Sequence, residues 1–305
     1  MFSIFVIPNI KKDYIRKSKT KLMKINVGFL VAYDYELLKI SIPLVYEYAD
    51  KIVLALDKNY LTWSGNQFSV DDSFFEWVKE IDKNHKITIY RDNFYVPENT
   101  SMQNDTRERS LMAKKMGEGF CIQLDADEFA LNFKELKQYL VNNKHKFNSS
   151  KSYQICAYWV DVYKKTEKGF LFVKDVSPFY LGTNRPNFYR ARKNKNQQKV
   201  YIPFLVIHLT WGRSSEDLKF KLNNWSHNTD FDTQKFFDFW VSIDETNYKE
   251  HQYFHPLNKK SWKELIFIKG KNISEIIKEN NFPYLIPTAK MKLKNIAQSI
   301  KFLFK

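Results

Sequence analysis

From residue 24 onward, runs that are apolar throughout alternate with stretches whose apolar positions recur every three or four residues. The first kind reads as buried strands and the second as amphipathic helices. KINVGFLVA (24–32), KIVLALD (51–57), KITIYRD (86–92) and FCIQLDA (120–126) are predicted strands. Between them lie predicted helices over 34–49, with a possible kink at Pro43, over 71–82, with Asp71 or Asp72 as N-cap, and over 105–117, stopped by Gly117 or Gly119. Apolar strands separated by helices predict an α/β fold with a mostly parallel sheet covered on both faces. In such sheets ligands bind beyond the carboxyl ends of the strands. Acids recur at that edge: Asp34, Asp57, Asp92, Asp125 and Asp127.

The pattern changes after Asp127. A helix is predicted over 132–140, long strands over 152–164 and 199–211, and a helix over 214–227 with Ser214 and Asp217 as a capping box. Further aromatic-rich helices are expected within 234–287. In AKMKLKNIAQSIKFLFK, residues Leu293, Ile296, Ile300, Leu303 and Phe304 share one helical face and lysines occupy much of the rest. The resulting partition is a basic segment (1–24), a ligand-binding half (25–130), a second half that takes an acceptor (131–212), a helical region (213–287) and a basic amphipathic tail (288–305).

Charge sharpens that partition. The net charge is +15, yet residues 11–24 hold seven Lys/Arg against one acid, and residues 288–305 hold five lysines and no acid. A nucleic-acid groove is built into the folded body, so no nucleic-acid partner is expected. Basic ends suit an anionic membrane face. The two cysteines, Cys121 and Cys156, lie in apolar runs and form no C-x-x-C, which fits buried thiols in a reducing compartment. No apolar run is long enough to span a bilayer, and the N-terminus lacks the order of a signal peptide. The expectation is a cytoplasmic protein, peripheral at the inner face of the cytoplasmic membrane.

The chain lacks G-x-x-x-x-G-K-[ST], G-x-G-x-x-G and G-x-S-x-G and contains only eight glycines, so a glycine-rich phosphate cradle is not expected. FCIQLDADEFAL (120–131) instead places Asp125 and Asp127 at the end of an apolar strand, with Glu128 next. Carboxylate oxygens there suit Mn²⁺ or Mg²⁺, which bridges diphosphate oxygens. An acidic strand-end turn has the same spacing. The run RARKNKNQQK (190–199) is either a loop facing diphosphate or anionic lipid, or a solvated surface.

RERSLMAKKMGEGFCIQLDADEF resembles the family-two nucleotide-sugar glycosyltransferases of GT-A fold, in particular the branch with a D-x-D-E-F motif. The likeness covers roughly residues 25–130. It implies a Rossmann-like sheet, flanking helices and a helical C-terminal extension. It also implies transfer of a sugar, from a UDP-sugar for preference, to a cell-surface glycan such as a lipooligosaccharide or to a lipid-linked acceptor. By position, Ala32, Tyr33 and Glu36 match the uridine-facing end of the first strand. Asp57 matches a base or ribose contact, Arg107 or Arg109 an arginine approaching the nucleotide, Asp125 a sugar or ribose contact and metal neighbour, and Asp127 the direct metal ligand. Two departures stand out: Ser110 replaces an asparagine after the helix arginine, and LDKNYLTWSGN diverges after Asp57 from the family's continuation with a second acid, glycine and serine. In this fold a downstream histidine completes the metal set, for which His208 and His227 are candidates.

A transferase also needs a proton acceptor for the acceptor hydroxyl. Asp161, an acid within the apolar AYWVDVY, is the first candidate, with Glu128 and Asp217 as rivals. Trp159, Trp211 and Trp225 are candidates to stack on an acceptor sugar, although large aromatics are core residues first. Two other classes remain open. A pyrophosphorylase-like nucleotidyltransferase is disfavoured by the missing glycine-rich loop, and a non-catalytic basic membrane- or nucleic-acid-binding protein has no use for the acid pair. Richness in Lys, Asn, Ile and Phe is compatible with a bacterial source.

Overall fold

The computed structural model describes residues 23–303 except 226, 259, 280–282, 285 and 287. The basic run expected at the N-terminus falls mostly on residues 1–22, and Phe304 and Lys305 end the tail; all of these lie outside the described residues.

Four parallel strands form the first half of the sheet: β1 (Ile25–Val31), β2 (Lys51–Asp57), β3 (Ile87–Asp92) and β4 (Phe120–Asp125), ordered β4-β1-β2-β3. All seven residues of β1 are buried, as expected for a central strand covered on both faces. The intervening helices are α1 (Leu38–Tyr46), preceded by one 3₁₀ turn, α2 (Asp72–Ile81) and α3 (Ser101–Met116). Asp71 caps α2 through the Ser73 amide. The third helix begins four residues before the predicted Asp105, because Thr100 and Gln103 form a reciprocal capping box. Buried Asn26 donates to the carbonyls of Met116 and Glu118 and so pins the end of α3 to β1.

The second half is mixed. After the short β5 (Glu128–Ala130), α4 (Phe133–Asn142) and α5 (Lys144–Phe147), the chain forms β6 (Tyr153–Lys165), β7 (Gly169–Val173), β8 (Ser177–Thr183), the small hairpin β9 (Phe188–Arg190) and β10 (Lys193–Asn194), and β11 (Gln198–His208). β8 joins the halves, antiparallel to both β4 and β6, while β11 runs parallel to β6. The C-terminal region contains α6 (Ser215–Asn224), α7 (Thr233–Ser242), β12 (Leu265–Lys269), α8 (Ile273–Glu279) and α9 (Thr288–Leu303). The sequence pattern missed β12, an edge strand that pairs with β7 and ties this region into the sheet. Among the described residues, no helix is long and apolar enough to cross a membrane.

Candidate functional site

The site grows from the register of five strands. Leu30 of β1 lies opposite Asp125 of β4, so Ala32, Tyr33 and Asp34 emerge beside the acid pair. β11 then inserts between β5 and β6, aligning His208 with Glu128 on one side and Asp161 on the other. The Leu209 amide donates to the Asp127 carbonyl at 2.9 Å, locking the two turns together. Thr210 follows at φ 30°, a left-handed conformation costly for a β-branched residue and typical of functional sites. It swings Trp211 and Arg213 back over the sheet edge.

Four cations converge on the acids. Arg109, on α3, holds Asp105 at 2.5 Å and both oxygens of Asp125 at 2.9 and 3.1 Å. Arg192, from the β9–β10 turn where Ala191 has φ 45°, reaches Asp125 at 2.9 Å and grips Glu128 with two bonds of 2.9 and 2.8 Å. Arg213 contacts Asp127 at 2.5 Å and Asp34 at 3.0 Å, and Lys221 on α6 contacts the same Asp127 oxygen at 2.7 Å. Burial alone would raise the Asp127 and Asp125 carboxyls. Lys221 and Arg213 hold Asp127 well below the usual carboxylate range, and Arg109 with Arg192 keeps Asp125 low. Burial depresses the Lys221 ammonium, assisted by Arg213. For His208 burial works against protonation, but the Asp127 charge and the Asp161 bond outweigh it and raise its pKa.

All of these groups but Arg213 and Glu128 line a cleft of about 920 Å³, at the large end for a small-molecule site. Of the residues singled out from the sequence, Ala32, Tyr33, Asp57, Arg109, Asp125 and Asp127 line it on one side. Asp161, His208, Trp159, Trp211, Trp225 and His227 line it on the other.

Several of these have occupations that narrow their roles. Asp57 accepts from four backbone amides, those of Asn59, Leu61, Phe94 and Tyr95, and so anchors two loops rather than offering a free oxygen. Asp161 is 2% exposed and accepts from Ser177, Thr210 and the His208 Nδ1 side, which suits an orienting group. Trp211 is buried under Lys221, and Trp159 stacks on Phe179. His227 is paired with Asp230.

Three expected site residues stand apart from the cleft lining. Glu36 is exposed and pairs with Lys39. Arg107 donates to the Asn93 carbonyl at the surface. Glu128 is fully buried behind the wall, where it also accepts from Trp159 Nε1 at 3.0 Å and from the Asp125 amide at 3.1 Å. Its placement suits holding Arg192 and the Asp125 turn. Asp217 caps the start of α6 on Ser214.

Sequence reasoning did not single out Arg213, Lys221, Trp63 or Glu108 for the site. Trp63 Nε1 donates to Glu108 at 2.6 Å, and burial pushes the Glu108 carboxyl up to about 8 against the pull of Trp63 and Arg109. Arg192 had a signal, the basic run 190–199.

A divalent ion fits the donor set as a half-site. His208 Nε2 lies 3.8 Å from the Asp127 carboxylate, while Nδ1 is held by Asp161 at 3.0 Å, a bond that turns Nε2 toward Asp127. Among the described residues no three His, Cys, Asp or Glu side chains form a complete metal cage. An ion bound together with phosphate needs only one or two protein ligands. The formal charge leaves room for it: Asp34, Asp105, Asp125, Asp127, Glu128 and Asp161 exceed Arg109, Arg192, Arg213 and Lys221 in number. Among the described residues, Arg109 Nη1 and Arg192 Nε are buried donors without an acceptor, which suits a site whose anion comes from outside the chain.

Neither a protein-family model nor a curated protein matches this chain. Solved structures resemble it loosely. S. aureus TarS 1-349 aligns at 15% identity over 45% of this chain and 36% of its own, with a TM-score of 0.32. A UTP-bound UGPase from Acinetobacter baumannii aligns at 11% identity over 51% and 67%, TM-score 0.28. Mannose-6-phosphate isomerase from Helicobacter pylori aligns at 12% identity over 85% and 89%, TM-score 0.30. The aligned part of this chain thus spans little more than a third of the TarS structure.

Proposed function

We propose that this chain is a glycosyltransferase that takes a sugar from a nucleotide-sugar donor, a UDP-sugar for preference, and passes it to a glycan or lipid-linked acceptor. One observation carries the proposal. The Asp125–Asp127 pair stands at the carboxyl end of a parallel strand, in a cleft sized for a nucleotide sugar and lined by Arg109, Arg192 and Lys221, with Arg213 holding Asp127 beside them.

In this reading the nucleoside sits against Tyr33 and Trp63, and its diphosphate meets Arg213 and Lys221, which exchange part of their hold on Asp127 for phosphate oxygens. Arg192 and Arg109 fix the Asp125 carboxylate, so that it accepts from sugar or ribose hydroxyls without reorganising. Asp161 fixes the His208 ring, and Glu128 fixes Arg192; both are positioning residues. Mn²⁺ or Mg²⁺, when bound, would be held by Asp127 and His208 and would neutralise charge on the departing nucleoside diphosphate. The acceptor enters past Trp225 and Trp262, which line the outer part of the cleft.

Saturation-transfer NMR on the full chain with a panel of nucleotide sugars, with Mn²⁺ and with EDTA, tests the proposal. One donor binds and is slowly hydrolysed to its nucleoside diphosphate, and Asp127→Asn weakens its binding at least ~10-fold. No binding or hydrolysis across the panel with Mn²⁺ present overturns it. Release of pyrophosphate from a nucleoside triphosphate and a sugar 1-phosphate would instead identify a nucleotidyltransferase.

A further inference from the structure

The helix α9 is attached to the body by its polar face. A helix packed on a protein body buries its aliphatic stripe and exposes its polar one. Here the polar stripe meets the sheet. The Asn295 side chain accepts from the Tyr201 amide at 2.8 Å and donates to the Tyr201 carbonyl at 2.9 Å, pairing with the β11 backbone much as a neighbouring strand would. Gln198 donates to Ser299 at 3.0 Å, and Lys294 lies over the Tyr201 ring. Met291 is buried against the body as well.

The aliphatic stripe consequently faces outward. Leu293, Ile296 and Ile300 are 67%, 57% and 52% exposed, three of the most exposed large apolar side chains among the described residues. They succeed one another along a single face, so their exposure is one continuous ridge. Lys290, Lys292, Lys294 and Lys301 lie on the same helix, which has no acidic residue. Aliphatic ridge, lysine flanks and absence of acids are the features of a helix lying in the interface of an anionic bilayer. A second copy of the chain fits less well, because pairing the ridges would bring two sets of lysines together without acids between them.

The attachment also sets the distance to the cleft. Tyr201, which α9 clamps, lies in register with Cys156, and Cys156 with Tyr180. Tyr180 lines the cleft and accepts from Lys199 at 2.5 Å. α9 is therefore attached two strands away from a residue of the cleft lining.

We propose that α9 is a membrane-docking element that seats Leu293, Ile296 and Ile300 in an anionic lipid surface, with its lysines at the phosphate level. The geometry of the helix carries this independently of the reaction in the cleft. Flotation of the full chain with vesicles of phosphatidylcholine alone, or of phosphatidylcholine with one quarter phosphatidylglycerol, provides the test. Binding is expected to the anionic vesicles and to fall in high salt. The triple variant Leu293→Ser, Ile296→Ser, Ile300→Ser is expected to lose it at least ~10-fold. Lys290→Glu with Lys301→Glu, which alters no packed residue, is expected to do the same. Equal flotation with neutral and anionic vesicles overturns the proposal, as does wild-type flotation of the charge-reversed variant. A concentration-dependent dimer dissolved by the triple variant, with no vesicle binding by the wild type, overturns it in favour of self-association.

Discussion

Arg192→Met tests the organisation of the site most directly. Arg192 makes two charge-assisted bonds to Glu128 and one to Asp125, and Glu128 has no solvent exposure. Methionine fills much of the volume but leaves Glu128 with only Trp159 Nε1 and the Asp125 amide as donors. Removing one partner of a buried ion pair costs about 3–5 kcal/mol, because the other charge is stranded. Glu128→Gln is milder: the amide oxygen still accepts from Trp159, and Arg192 keeps Asp125, so about 1–3 kcal/mol is expected. The double variant strands nothing, and its cost should fall short of the sum of the two by about 2 kcal/mol or more. Urea titrations followed by far-UV circular dichroism measure all three, with Arg190→Met, at an exposed neighbour, as control. Additivity within about 0.5 kcal/mol would refute the coupling, and so would a cost for Arg192→Met no larger than that of the control.

Three further outcomes follow from single positions. Because the Glu108 carboxyl is pushed up to about 8, the native state holds one more proton than the unfolded chain from about pH 4.5 to 8, and stability falls as pH rises through that window. Glu108→Gln keeps an acceptor for Trp63 and removes the slope; its stability relative to wild type should climb by up to about 1.4 kcal/mol per pH unit, and a pH-independent difference would contradict it. Asp57→Asn replaces one of two oxygens that each accept two amides, and should cost about 2–3 kcal/mol in urea unfolding. Gly182→Ala sets a Cβ 2.7 Å from the Cys121 carbonyl at the β4–β8 junction, where backbone must move, and a loss of about 1–3 kcal/mol is expected; an unchanged midpoint would show that the junction yields freely.

The first half of the fold was legible because each of its elements is specified locally. β1, β2 and β4 are nearly continuous apolar runs, and Asp71 caps α2 within the same few residues. The start of α3 was missed because polar Ser101–Asn104 gives no apolar period, while Thr100 and Gln103 fix the start by hydrogen bonding. β12 was missed because four apolar residues at a sheet edge read equally as a turn of helix. The helix at the C-terminus was legible from its period, but what its apolar stripe meets was not, since a hydrophobic stripe says which side leaves water and not what it leaves water for.

The acid pair was legible and its partners were not, for a reason that is physical. Asp125 and Asp127 are two residues apart in one strand end, whereas Arg192 lies 64 residues beyond Glu128, and Arg213 and Lys221 lie 86 and 94 beyond Asp127. No local pattern records such a meeting; the register of β11 between β5 and β6 creates it. The need for partners was nevertheless implicit. Carboxylates at the end of a buried strand cannot stay charged unless cations are brought to them. Arg192 answers that need for Glu128 without exposing it, and the same guanidinium continues to Asp125 at the cleft. Glu128 thus explains the third acid of the D-A-D-E run: it is the fixed end of a lever whose free end sets the carboxylate that faces the cleft.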